Sequence, residues 1–299
     1  MAEQMASVNG IELCYETFGD RDRPALLLIM GLGGQLIWWD DEFCNALVER
    51  GFHVIRYDNR DGGRSTIFRD SPTPKPWQLL RSDPRAAAYS LEDMADDAAA
   101  LLDHLGVEAA HVVGVSMGGM IAQTLAIRHA QRVLSLASIM STTGDRGVGR
   151  ARWRLYPALL RPLPRRRERY IKGFVRLFNL IGSRRYPPDV ERVSDLAGRS
   201  FDRGFHPAGT ARQLAAIATA PDRTPMLRDV RAPAVVIHGT DDRLVAPSGG
   251  EATAEAIPGA RLVLIPGMGH DMPPEIWPRL VDAITENAAR ATEATAAGR

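Results

Sequence analysis

The sequence predicts an α/β protein: a mostly parallel sheet with helices on its faces and a helical segment inserted late in the chain. Three observations carry this. Short apolar runs alternate with longer amphipathic ones through the first half, the alternation stops between Ser141 and Pro233, and it resumes from Ala234. At 299 residues the chain is long enough to bury an ample core without disulfide or metal staples.

Taken in order, strands are expected over residues 12–18, 25–30, 53–57, 111–115 and 134–139, then again over 234–238 and 261–265. Helices are expected over residues 38–50, 91–105 and 117–129, the second opened by a capping box between Ser90 and Asp93. A last helix starts near Pro274, and the Ala-, Thr- and Gly-rich tail after about Asn287 is expected to fray.

The interrupting segment is Arg- and Pro-rich, with helical periods and no strand pattern. Tyr170, Phe174, Leu177, Phe178 and Ile181 share one face of a predicted helix, with Lys172, Arg176 and Asn179 opposite. Residues 145–224 hold 18 Arg/Lys against 7 Asp/Glu, an excess of +11 in a chain whose net charge is +1, so the remainder carries −10. The division this predicts is a first core part at 1–144, a helical insertion at 145–224 and a second core part at 225–299. The insertion's charge is expected to pair with the core, weak peripheral contact with an anionic membrane surface being the alternative. Its arginines are scattered and form no nucleic-acid reading motif.

Several function classes are excluded early. Cys14 and Cys44 have no paired spacing and read as ordinary buried thiols. The apolar run at residues 25–30 is too short to span a membrane and lacks signal-peptide flanks, so a cytoplasmic location is expected. Gly31-Leu32-Gly33 after an early strand resembles the start of a dinucleotide-binding loop, but Leu36 stands where the third glycine belongs. No HExxH, Cys/His cluster or Walker loop occurs, so no metal or other cofactor is implied.

The chemistry points elsewhere. Gly114-Val115-Ser116-Met117-Gly118 follows an apolar strand and precedes a helix, the setting of a nucleophile elbow. Small neighbours let the serine occupy a sharp turn with its Oγ exposed, and the Met117 N–H at the helix start can receive an oxyanion. A serine needs a base, and His270 stands in the glycine-rich loop Pro266-Gly267-Met268-Gly269-His270-Asp271 after the last strand. His53, His111 and His129 fall at positions that packing or surface exposure explains, and His238 ends a strand leading into an acidic loop. Either Asp241 or Asp242 of that loop can orient the base.

His238-Gly239-Thr240-Asp241-Asp242 is similar to the HGxxD acid loop of α/β-hydrolases. With the elbow and the histidine loop, it makes nearly the whole chain resemble the α/β-hydrolase superfamily, and within it bacterial serine esterases and lipases of the aclacinomycin methylesterase kind. The resemblance implies an eight-stranded, mostly parallel sheet with an inserted helical cap. It puts the acid at Asp242, giving the order Ser116, Asp242, His270. It implies a second oxyanion donor at Leu32 N–H in Gly31-Leu32-Gly33-Gly34, although relatives carry His where Met30 stands. The implied activity is cleavage of a small-molecule carboxylic ester. Trp38, Trp153, Tyr156 and Phe178 are candidates for contact with substrate. Perhydrolase or carbon–carbon bond hydrolase activity would use the same residues, and a non-catalytic small-molecule binder of the same fold is the other alternative.

Overall fold

The computed structural model describes residues 2–155 and 164–297. Its strands are β1 Gln4–Val8, β2 Ile11–Phe18, β3 Ala25–Ile29, β4 His53–Tyr57, β5 Ala110–Val115, β6 Val133–Ile139, β7 Ala234–Gly239 and β8 Arg261–Ile265. They form one eight-stranded sheet in the order β1-β2-β4-β3-β5-β6-β7-β8. The β1–β2 and β2–β4 pairs are antiparallel, and the pairs from β4 across to β8 are parallel.

The continuous apolar run of β3 is what a strand covered on both faces requires. Leu27 and Ile29 pack with the helices Leu91–His104 and Met117–Arg128, whereas Leu26 and Leu28 pack with Asp41–Glu49 and Trp277–Ala297. Side chains alternate across a strand, so one pentapeptide serves both layers. At the head of Leu91–His104 the expected capping box is formed: Ser90 Oγ accepts from Asp93 N–H at 3.1 Å and Asp93 Oδ2 from Ser90 N–H at 2.8 Å.

Two expectations are corrected. The polar N-terminus contains β1, an edge strand in which only Ala6 and Val8 are buried, which is why its composition hides it. Asn9 and Gly10, at φ +48° and +76°, close the two-residue turn to β2, and that Asn-Gly pair between Val8 and Ile11 is the signal that could have revealed the hairpin. At the other end, the last helix continues to Ala297 rather than fraying at Asn287. Asn287 is buried and donates to the carbonyls of Leu136 and Pro233, and Arg290 donates to those of Ala234 and Gly259, so both side chains fasten the helix to strand ends.

Between β6 and β7 run the helices Arg167–Ile181, Val190–Arg203 and Pro207–Thr219. The first buries Tyr170, Phe174 and Ile181 and exposes Lys172, Arg176 and Asn179, as its period predicts. Three arginines of this segment pair with carboxylates outside it: Arg192 with Asp40, Arg203 with Asp58 at 2.8 Å and Arg212 with Asp61 at 2.7 Å. Among the described residues no helix is long and apolar enough to cross a membrane.

Candidate active site

The C-terminal ends of β5, β7 and β8 bring three side chains together. Ser116 follows β5 and starts the helix Met117–Arg128 with φ +55° and ψ −117°. A non-glycine residue held there costs about 1–3 kcal/mol, which the surroundings must supply. Ser116 N–H donates to Ile139 O at 2.9 Å, and Ser116 O accepts from Ser141 Oγ at 2.8 Å and from Gly119 N–H at 3.0 Å. The flanking glycines are dictated by contact: a Cβ on Gly114 would lie 2.1 Å from Gly118 O, and one on Gly118 would lie 2.0 Å from Ile29 O. The serine hydroxyl does not cap its helix. It lies 3.0 Å from His270 Nε2 instead.

His270 Nδ1 stands 2.7 Å from Asp242 Oδ2. A carboxylate only accepts, so Nδ1 carries the proton and Nε2 is left as the acceptor facing the serine. Asp242 is buried, and its other oxygen accepts from Leu244 N–H at 2.8 Å and Val245 N–H at 2.9 Å. Burial alone would raise this carboxyl, but the His270 imidazole and the hydrogen bonds from His238 and His270 outweigh it and hold it down to about 2. His238 is fully buried, donates from Nε2 to Val245 O at 2.9 Å and reaches Asp242 Oδ2 at 3.5 Å, so it braces the acid loop. Asp241 turns away: its N–H donates to Met268 O at 2.9 Å and its carboxylate receives Thr240 Oγ1 at 3.4 Å.

The loop after β3 closes on the same point, near enough that a methyl on Gly31 would stand 3.2 Å from Ser116 Cβ. Met30 follows β3 directly, and its carbonyl accepts from Asn59 Nδ2 at 2.8 Å. Gly33 N–H donates to the buried Gln213 Oε1 at 2.9 Å, Leu36 N–H donates to Asp58 Oδ1 at 2.7 Å, and Gln35 Nε2 reaches the carbonyls of Ser200 and Gly204 at 2.8 Å each. Neither Leu32 N–H nor Met117 N–H forms a hydrogen bond among the described residues. Sequence reasoning missed Gln213, because its partner lies 180 residues away and no local pattern marks it.

Of the four aromatic candidates, Trp38 lies in tilted contact with Phe174 and Phe178, ring centroids 4.7 and 5.4 Å away, and donates from Nε1 to Ser200 Oγ at 3.0 Å. Trp153 is 75% exposed, with the Arg154 guanidinium over its ring. Tyr156 lies outside the described residues. The described residues contain no group of three or more His, Cys, Asp or Glu arranged to hold a metal.

A hydroxyl, an imidazole and an ionised carboxylate in hydrogen-bonded sequence can pass a proton from the first to the second while the third holds the ring. Residues 24–275 match a family described as alpha/beta hydrolase fold. Rhodomycin D methylesterase DauP from Streptomyces sp. (strain C5) is 30% identical over 315 residues, covering 98% of this chain and 100% of that protein. The 3-oxoadipate enol-lactonase 2 of Acinetobacter baylyi is 29% identical over 256 residues, covering 83% of this chain and 82% of its own. The crystal structure of the enol-lactonase from Burkholderia xenovorans LB400 superposes with a TM-score of 0.71 at 27% identity, covering 97% of this chain and 100% of that one.

Proposed function

Since this chain belongs to the alpha/beta hydrolase fold family, we propose that it is a serine hydrolase cleaving a small-molecule carboxylic ester through an acyl-enzyme. The observation that carries the reading is the unbroken relay of Ser116 Oγ to His270 Nε2 at 3.0 Å and His270 Nδ1 to Asp242 Oδ2 at 2.7 Å. The ester bond is favoured because the full-length relative is named a methylesterase and two others are enol-lactonases, all of which open a C–O bond to an acyl carbon.

In this mechanism Ser116 Oγ attacks the ester carbonyl while His270 Nε2 takes its proton and Asp242 stabilises the imidazolium. The carbonyl oxygen becomes an oxyanion, received by the amides of Met117 and Leu32. The intermediate collapses, the C–O bond breaks, and His270 returns the proton to the departing alcohol. Water then enters, His270 takes its proton as the water oxygen bonds to the acyl carbon, and His270 returns that proton to Ser116 Oγ as the bond from Oγ to the acyl carbon breaks and the acid leaves. No redox step or cofactor is needed.

Residues 145–224 act in this reading as the cap over the site, with Trp38 and Phe178 forming an apolar wall for the substrate and the exposed Trp153 toward its rim. The test is Ser116→Ala. The native chain should be labelled by a fluorophosphonate probe and should hydrolyse a short-chain nitrophenyl ester. The variant should lose the label and several orders of magnitude of turnover at an unchanged melting temperature. Undiminished turnover would overturn the assignment, and an unlabelled, inactive native chain would favour a non-catalytic binder.

A further inference from the structure

The loop that carries His270 is held from two sides. Its first half belongs to the acid loop: Gly267 N–H donates to Thr240 Oγ1 at 2.9 Å, and Met268 O accepts from Asp241 N–H at 2.9 Å. Its second half, which bears the imidazole, is held by the end of the helix Arg167–Ile181 and the two residues after it. His270 N–H donates to Ile181 O at 2.9 Å, and Gly269 N–H donates to Ser183 Oγ at 2.8 Å. Ser183 in turn donates to Asp271 Oδ1 twice, from its hydroxyl at 2.5 Å and from its N–H at 2.9 Å. Ser183 and Asp271 are 3% and 8% exposed, so these bonds are made out of water, where geometry is strictly kept. The two backbones touch: a Cβ on Gly269 would lie 2.3 Å from Gly182 C.

A loop with glycines at 267 and 269 has little stiffness of its own. The ring of His270 must nevertheless hold two hydrogen bonds in opposite directions, to Asp242 and to Ser116. We propose that Ser183 and Asp271 are positioning residues for His270, a buried clasp by which the segment between β6 and β7 fixes the general base. The inference rests on the hydrolase reading of Ser116, Asp242 and His270. Under it, that segment is part of the catalytic apparatus as well as a cover, since any shift of residues 181–183 moves the base.

Ser183→Ala in the full-length chain removes the hydroxyl that joins Gly269 N–H to Asp271. Turnover of a nitrophenyl ester should fall about tenfold to a hundredfold in kcat, with KM changed less than about twofold, the range expected when a reacting group is displaced by a fraction of an ångström. Ser183→Thr restores a hydroxyl and should recover part of the loss. Arg192→Ala, which breaks the ion pair with Asp40 elsewhere on the same segment, should leave kcat near the native value. The low-field proton resonance of His270 Nδ1–H should broaden or move in Ser183→Ala and stay in place in Arg192→Ala. That signal is read without turnover, so it judges the clasp even if Ser116→Ala overturns the hydrolase reading. Should Ser183→Ala fail to fold, Asp271→Asn keeps an acceptor oxygen while weakening the charged bond, and a smaller kcat loss with the same proton shift is expected. A native kcat and an unmoved resonance in the folded variant would overturn the proposal, as would equal kcat losses in Ser183→Ala and Arg192→Ala.

Discussion

Asp242 Oδ2 meets His270 Nδ1 at 2.7 Å, while the neighbouring Asp241 sends only its backbone N–H back toward the same loop, to Met268 O. Asp242→Asn should leave the imidazole free to adopt the wrong tautomer and cost up to about 10⁴-fold in kcat, as in the serine-protease case. Asp241→Asn keeps its amide and should cost less than about threefold. Steady-state kinetics on both variants decide it, and the reverse order would move the acid role to Asp241.

The depressed carboxyl of Asp242 also makes an acid prediction. Burial pushes it up, but His270 and His238 bring it below its ordinary 3.8 to about 2. A group depressed on folding contributes its full stability above the unfolded value and loses it as pH falls through the folded value. Denaturant melts between about pH 4 and pH 2 should therefore show the native chain losing more stability than Asp242→Asn over the same interval. Equal losses would mean that the carboxylate is not stabilised by its histidines.

How far this site was legible depends on the distance in sequence over which each signal acts. Ser116 and His270 sit in short glycine-spaced motifs on strand ends, so five or six residues suffice to find them. Asp242 sits beside an equally acidic neighbour, and local chemistry left the choice open until the resemblance was used; the structure separates the pair by which of them has its carboxylate, rather than its amide, facing the histidine loop. Gln213 and Ser183 were invisible because they act on partners 180 and 86 residues away. Among the strands, β8 was found from its apolar run, although only Ile265 of it is buried, and β1, with Gln4 and Ser7 among its five residues, was not.

Trp38 and Phe178 predict selectivity. Their rings lie 5.4 Å apart, and Phe174 lies against both, so one indole on the core packs into two rings from the segment between β6 and β7. Trp38→Ala removes a large apolar surface and the bond to Ser200. Relative kcat/KM across a series of nitrophenyl esters should shift toward longer or bulkier acyl groups by about tenfold or more, the scale of one or two methylenes in an apolar pocket. An unchanged ranking across the series would remove Trp38 from the substrate wall.

In the loop after β3 the proposed oxyanion donor at Leu32 is a backbone amide that substitution cannot delete. Gly33 is a poor place to probe it. Its φ of +66° is a left-handed conformation that valine resists, and a Cβ there would come within 3.0 Å of Thr210 Cγ2, so Gly33→Val should lower the melting temperature along with activity. Gln213 offers a cleaner handle. Its Oε1 accepts from Gly33 N–H at 2.9 Å, one residue beyond Leu32, and its Nε2 donates to Arg60 O at 2.8 Å. Gln213→Leu leaves the buried Arg60 O unpaired, at about 1–3 kcal/mol, and frees the loop by removing the acceptor of the exposed Gly33 N–H. Gln213→Glu, when ionised, keeps the acceptor for Gly33 and loses only the donor to Arg60 O. If the loop's position sets the oxyanion donor, kcat per folded molecule should fall by about tenfold to a hundredfold in Gln213→Leu, short of the 10²–10³ that removal of a donor costs. It should fall much less in Gln213→Glu, where a buried carboxylate opposite Arg60 O lowers stability rather than kcat. Equal kcat in the folded fractions of both variants would show that Leu32 is placed without Gln213, and would return this buried amide to a purely structural role.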